Sequence, residues 1–410
     1  MARIKSFQCI HPVPELVSRV AALPYDVYNR AEARREAAKE PLSFLNIDRA
    51  ETQFEEGHDL YAPEVYQKAH DLLWDRVHDG SFVREERKGY YLYELTMSGR
   101  SQTGIVACAS IDDYQNGIIK KHENTRADKE ADRMRHVDVC NAQTGPVFLV
   151  YRKNEILQQV VLRTKEKEPV FDFVSGDGVN HRGWSIFDRE EIQKIESAFE
   201  RIEQIYIADG HHRAASAVKV GQKRRREHPE YDGTEEFNYF LSVLFPENEL
   251  RIMDYNRLVR DLNGLTKEQF LGKVSEKCKI EAAPEAVRPV HKGQMGMYLE
   301  KQWYLLTAKP ELTSEDPVEG LDVSFLQREI LHPVLGIENP KTDGRIDFAG
   351  GIRGLQELER RVHTDCAVAF SMYPTSMEEL FAVADAGLLM PPKSTWFEPK
   401  LRSGIFIHAL

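Results

Sequence analysis

No apolar run in this chain approaches the roughly 20 residues that a membrane-spanning helix needs. No membrane partner is therefore expected. Cysteine is scarce, with five residues in 410. Cys9, Cys108, Cys140, Cys278 and Cys366 are scattered, odd in number and never spaced CxxC. That pattern speaks against a disulfide framework and against a cysteine-based zinc site, and it makes a reducing cytoplasm the simplest expected location. The opening MARIKSFQCIHPVPE lacks a long apolar segment, so no signal peptide is expected. Excess positive charge is missing too. The formal net charge is −11, which argues against a protein dominated by nucleic-acid phosphates. There is no Walker sequence, no HExxH, no internal repeat and no low-complexity tract.

The chain is long for one ordinary core, and its 41% hydrophobic and 30% charged residues suit a globular fold. Helices are predicted at Ala31–Lys39 and at Pro63–Val77, where Val65, Ala69, Leu72 and Leu73 fall at helical spacing. Tyr90–Met97 and Thr103–Ile111 read as strands joined at Ser98-Gly99-Arg100, a hairpin signal. Thr125 is a plausible N-cap, with Asp128 three residues on, for a charged helix beyond. Val147–Tyr151, Ile205–Ala208 and Tyr239–Phe245 read as strands, and a helix over Ala214–Val220 is expected to stop at Gly221. Later, Phe270–Cys278, Leu321–Leu331 and Ser376–Ala384 read as helices, and Trp303–Leu306 and Ala367–Phe370 as strands.

The stretch Ile205–Val220, IYIADGHHRAASAVKV, crowds chemistry into a strand-to-helix turn. The first N–H groups of a helix have no intrahelical partner, and with the helix dipole they favour an anion. Gly210 permits close approach of a ligand. Asp209 suits an N-cap, accepting from the N–H of His211 or His212. Arg213 offers a planar fork for phosphate oxygens, and the two histidines add donors. On the residues alone three readings stay open: a phosphate cradle, ordinary capping at a solvated helix end, and a metal site. The last is the weakest, because adjacent histidines rarely turn both rings to one ion.

Two further segments carry candidates. In KKHENT (Lys120–Thr125), Glu123 sits beside two lysines and just ahead of a helix. It could act as a base or a metal ligand, or belong to a solvated charge run. In MPPKSTWFEPK (Met390–Lys400), Lys393, Ser394 and Thr395 set one cation and two hydroxyls side by side, suited to a phosphate or carboxylate. The alternative is an ordinary proline-rich loop.

Taken together, IADGHHRAASAVKVGQKR, KKHEN and the tail ending MPPKSTWFEPK resemble the boxes of the free L-serine kinases, whose core resembles ParB and sulfiredoxin domains. The whole chain is similar to the broader family labelled domain of unknown function 1015, which shares the LPYDVY-like start (Leu23–Tyr28). The kinases are shorter and lack most of residues 1–100. They carry a Trp-Tyr-Pro stretch where this chain has Asp254-Tyr255-Asn256-Arg257.

The resemblance implies an α+β fold with a ParB/sulfiredoxin-like mixed-sheet core. It further implies an N-terminal family-specific region over 1–100, a nucleotide-binding core over 101–262, and a C-terminal α/β domain over 263–410 that returns the MPPKST loop to the site. It implies a kinase acting on free L-serine or a similar hydroxy compound, with Mg²⁺ and ATP or ADP. Asp209, Gly210, His211, His212 and Arg213 would hold the nucleotide phosphates, with Asp209 a candidate Mg²⁺ ligand. Glu123 would be the catalytic base, and His122, Lys393, Ser394 and Thr395 would bind the acceptor or the transferring phosphoryl group. A homo-oligomer is compatible with it. A non-catalytic ParB-like nucleotide-binding regulator is the alternative. A sulfiredoxin-like reductase is disfavoured, because His211 stands where that family has its reactive cysteine. Tyr25 and Asp26 are candidates for a site contact, with packing and turn chemistry the plainer explanation.

Overall fold

Tyr90–Met97 and Arg100–Ser110 pair antiparallel through a tight turn. Ser98 and Gly99 both take positive φ there, 52° and 76°, which is the backbone a two-residue hairpin turn demands. This hairpin lies within a nine-stranded sheet. Its strands are β1 (Ile4–Lys5), β2 (Tyr90–Met97), β3 (Arg100–Ser110), β4 (Ile119–Lys120), β5 (Val147–Tyr151), β6 (Phe171–Val174), β7 (Asn180–Ile186), β8 (Ile205–Asp209) and β9 (Tyr239–Pro246). The spatial order is β4-β8-β5-β9-β3-β2-β7-β6, with β1 added beside β3. Most pairs are antiparallel. The exceptions are β4 with β8 and β5 with β9, which run parallel. The computed structural model describes residues 1–410, and the fold is mixed α+β.

Strand alternation sets one core. Ile105, Ala107 and Ala109 of β3, Val147 and Leu149 of β5, and Ile205 and Ile207 of β8 share one apolar cluster. Helices cover it: α4 (Glu155–Lys165) through Leu157 and Val160, α5 (Arg189–Phe199) through Ile195 and Phe199, and α6 (His211–Glu227) through Ala214, Ala217 and Val218. A second core lies among α1 (Arg30–Lys39), α2 (Pro63–His78) and a small sheet in which Cys9–Pro12 pairs with Phe82–Arg84 and Ile407–Ala409. Both helix predictions in this region hold within a residue. Asn29 and Glu32 close a capping box on α1, and Pro63 opens α2 at a position where its missing N–H costs nothing. The helix α3 (Ala127–Cys140) completes this region.

The chain divides into two compact units: 1–250 with 399–410, and 251–398. The expected boundaries near 100 and 262 stand beside this division. Residues 1–100 and 101–250 share one unit because β1, β2 and β3 belong to one sheet. The second unit has its own six-stranded antiparallel sheet, built from Tyr255–Val259, Cys278–Ala283, Gln294–Leu299, Gln302–Ala308, Ile346–Gly350 and Val368–Met372. The predicted helix at Phe270–Cys278 runs instead over Lys267–Ser275, where Thr266 and Gln269 form a capping box, and Cys278 begins a strand.

Gly221 does not stop α6, which continues to Glu227. Glycine is there for space. A Cβ at this position would meet the Phe237 carbonyl oxygen at 2.4 Å and Ile111 Cδ1 at 2.6 Å. Helix propensity and packing therefore make opposite predictions for Gly221→Ala. Propensity would stabilise the helix by about 1 kcal/mol, whereas overpacking against backbone costs about 1–3 kcal/mol. The clash should win, and chemical denaturation should show a less stable variant. A stabilised variant would assign Gly221 no packing role.

Candidate active site

β4 and β8 are neighbours and parallel, with Ile119 opposite Ile205 and Lys120 opposite Tyr206. Their C-terminal ends therefore open on the same edge of the sheet. KKHENT leaves one strand and DGHHR leaves the other, so segments about ninety residues apart in sequence meet by sheet geometry alone. A register shift in the pairing of β8 with β5, between Ile207 and Asp209, sits at the point where the strand turns into α6. Bulges of this kind re-aim a side chain at a strand end.

The residues brought together are Glu123, His122, Asp209, His211 and His212. Glu123 Oε2 lies 3.9 Å from His211 Nδ1. The His122 and His211 rings meet edge to face with centroids 4.6 Å apart. His211 is 5% exposed, and its Nε2 is buried without a hydrogen-bond partner. An unsatisfied buried polar atom costs roughly 1–3 kcal/mol, so this imidazole is held ready rather than satisfied within the chain. The Arg126 backbone N–H donates to His212 Nε2 at 3.0 Å, which leaves the His212 proton on Nδ1 when the ring is neutral. Burial pushes His122 down to about 3, with His211 adding to the shift. Burial likewise pushes His211 down to about 4, against the pull of Asp209. Both rings are neutral at pH 7.

The N-cap of α6 is Gly210, not Asp209. Gly210 has φ 93° and supplies no side-chain cap. The Asp209 carboxylate turns back instead, with Oδ1 accepting from the Gly210 N–H at 2.7 Å. Its Oδ2 accepts from Lys400 Nζ at 3.0 Å. Burial opposes ionisation of Asp209, but Lys400 and Arg213 outweigh it and hold the carboxyl well below the usual range. The first turn of α6 thus keeps its N–H groups uncapped by any side chain, a donor set suited to an anion.

Arg213 folds over Gly210, where a Cβ would lie 3.0 Å from its Nε. Its side chain is 12% exposed and 4.0 Å from Asp209, and its guanidinium donates to the Pro146 carbonyl. Arg213 braces the turn from inside. Thr125 does not cap α3 either. The helix starts at Ala127 after Arg126, without a side-chain cap, and the Thr125 hydroxyl donates to Glu130. Helix α3 packs along α6 and adds to this brace: Lys219 pairs with Glu130, and Ser216 Oγ donates to the Glu130 carbonyl.

Lys393, Ser394 and Thr395 lie in the second unit, and the residues above lie in the first. Within the second unit their loop is clamped. The Lys393 backbone takes φ 61° and its carbonyl accepts from Arg257 at 3.0 Å. The Ser394 hydroxyl donates to the Pro391 carbonyl at 2.7 Å, and the Ser394 carbonyl accepts from Thr375 at 2.9 Å. Lys393 Nζ stands 5.5 Å over the Tyr255 ring. Tyr255 and Arg257, the residues that depart from the kinase pattern, therefore support the loop.

Lys400 closes the MPPKSTWFEPK segment, and its pairing with a carboxylate 191 residues earlier has no local signal in the sequence. The donor set does not fit a protein-held magnesium ion. Both Asp209 oxygens are engaged, and no group of three or more His, Cys, Asp or Glu side chains is arranged to hold a metal.

Neutral buried histidines make stability depend on pH. The folded-state values of His211 and His122 lie below the unfolded value of 6.5. As pH falls from 6.5 toward 4, the unfolded chain takes up protons that the folded chain refuses, so stability is present above 6.5 and lost on acidification. Thermal melts should fall steadily across this window, and His211→Gln should flatten the slope. An unchanged slope in that variant would mean that the imidazole is not held neutral.

Among solved structures, the chain is similar to a free serine kinase mutant in complex with AMP, at 13% identity, covering 72% of this chain and 87% of that chain with a TM-score of 0.36. It is similar to SbnI with C-terminal truncation from Staphylococcus aureus, at 10% identity over 72% of this chain and 82% of that chain, with a TM-score of 0.37. A conserved hypothetical protein from Pyrococcus furiosus aligns at 12% identity over 73% of this chain and 93% of that chain, with a TM-score of 0.34. No curated protein matches the chain. The model of a family of proteins of unknown function, DUF1015, matches residues 4–324, and the chain belongs to that family.

Proposed function

We propose that this protein is a nucleotide-dependent kinase that transfers a phosphoryl group to the hydroxyl of free L-serine or a similar small hydroxy compound. The observation that carries the reading is the meeting of Glu123 with the buried, unsatisfied His211 beside the uncapped N-terminus of α6. Phosphoryl transfer asks a protein chiefly for positioning and for positive potential around the transferred group. In this reading the first-turn N–H groups of α6 and the neutral donors His211 and His212 hold the phosphates of ATP or ADP. Magnesium enters as part of the nucleotide co-substrate, bound by phosphate oxygens and water. The ParB/sulfiredoxin-like label for the core belongs to this same proposal.

Glu123 is 37% exposed and stands at the edge of the donor set, which suits a group that must meet a second substrate. The acceptor hydroxyl oxygen attacks the terminal phosphorus. The bond from phosphorus to the bridging oxygen breaks, the nucleotide leaves one phosphate shorter, and the hydroxyl proton passes to Glu123 as the new bond forms. Lys400 keeps the Asp209 carboxylate from facing the phosphates unbalanced. His122, expected to bind the acceptor, is 1% exposed and meets His211 edge to face, so in this reading it positions that ring instead.

Purified protein given Mg²⁺, L-serine and ATP or ADP should yield O-phosphoserine by mass spectrometry. Glu123→Gln should lower kcat by a factor of about 10²–10⁴, the usual worth of a positioned base. Turnover at the parent rate would remove Glu123 from the chemistry. Nucleotide binding without phosphorylation of any hydroxy amino acid would favour the non-catalytic regulator instead. Lys400→Met should leave a buried carboxylate exposed to the phosphates and raise the Kd for nucleotide about tenfold or more. Calorimetric titration reads that change, and an unaltered Kd would separate Lys400 from phosphate binding.

A further inference from the structure

The first unit holds a cavity of about 320 Å³ walled by the LPYDVY turn, α1, the start of α2 and α3. Charged side chains of both signs line it. Most are already engaged. Arg49 pairs with Glu51 at 2.6 Å, Arg133 with Asp132 at 2.9 Å, and Asp48 accepts from Thr144 at 2.8 Å. His136 Nε2–H donates to the Ile47 carbonyl at 3.1 Å, and burial keeps the ring neutral.

Three wall groups stand apart from that network. Asp26 is exposed and its carboxylate has neither a hydrogen bond nor an ion pair, and the half-buried Lys129 has no ion pair. Arg30 spends one nitrogen on the His58 carbonyl at 2.9 Å, but its Nε is buried without a partner. The cavity therefore offers one uncommitted carboxylate and two uncommitted cations. A polyphosphate would meet Asp26, Asp48, Glu51 and Asp132. An apolar ligand would leave the Arg30 Nε buried without a partner, which is costly. The complement of this lining is a molecule that carries an ammonium and a carboxylate together.

The start of α3 links the cavity to the candidate centre. The Asp26 charge acts on the His212 imidazole, and His212 holds the Arg126 backbone N–H three residues before Lys129. Tyr25, next to Asp26, packs its ring under the Arg133 guanidinium at 4.2 Å and fixes the turn.

We propose that this cavity seats a small zwitterionic amino acid, with Asp26 taking its ammonium group and Arg30 and Lys129 its carboxylate. Its role as the acceptor's seat rests on the phosphoryl-transfer reading; the binding itself does not. Residues 1–100 then supply part of the acceptor's walls, and α3 supplies the rest.

Isothermal titration of the full chain without nucleotide tests this. L-serine should bind. Ethanolamine, which lacks the carboxylate, and 3-hydroxypropionate, which lacks the amine, should each bind at least about tenfold more weakly. Asp26→Asn and Lys129→Met should each raise the Kd for L-serine by a similar factor with unchanged melting temperature. Absence of binding by L-serine and by every other standard amino acid overturns the proposal, and so does serine binding that both variants leave intact. If serine binds with these dependencies while no O-phosphoserine forms, the cavity assignment stands and the kinase reading falls.

Discussion

Two parallel strands at the edge of one sheet decide where everything else at this site can be. Ile119–Lys120 is only two residues long, yet its hydrogen bonds to Ile205 and Tyr206 bring KKHENT out beside DGHHR. Loops leaving the C-terminal ends of adjacent parallel strands converge over the sheet edge, which is why open sheets so often place ligands there. Without this pairing, Glu123 would be a carboxylate in a solvated charge run, and His211 a capped helix end.

The turn itself is held by groups that do not face a ligand. Gly210 takes a backbone conformation that L side chains rarely adopt, and it also clears room for the Arg213 guanidinium. Arg213 spends a donor on the Pro146 carbonyl, and Asp209 spends both oxygens on the Gly210 N–H and on Lys400. These contacts fix the start of α6 while leaving its amides uncapped. The cost is an imidazole nitrogen buried without a partner and a set of histidines that must stay neutral. Cost of this kind concentrates where preorganisation is needed.

The same economy explains the corrections to the local reading. Asp209 followed by glycine looks like a cap, but a carboxylate beside Lys400 has a stronger partner than a helix amide. Thr125 looks like a cap, but its hydroxyl reaches Glu130, which Lys219 of the neighbouring helix already holds in place. Gly221 looks like a stop, but the close passage of Phe237 and Ile111 requires its missing side chain. In each case a contact distant in sequence outcompeted a preference set by three or four neighbouring residues.

The sequence by itself determined the elements and their chemistry. Period-two strands, the Ser98-Gly99 turn and the proline-opened helix at Pro63 follow from backbone sterics and local patterning. The clustering of Asp209, His211 and His212 at a strand-to-helix turn was legible because that turn is local. Tertiary structure decided which boxes share a site. The parallel pairing of a two-residue strand, the return of residues 399–410 to the first unit, the Lys400–Asp209 contact across 191 residues and the influence of the Asp26 charge on His212 are long-range. They depend on sheet register and on the exclusion of water between elements, and no local pattern of residues encodes either.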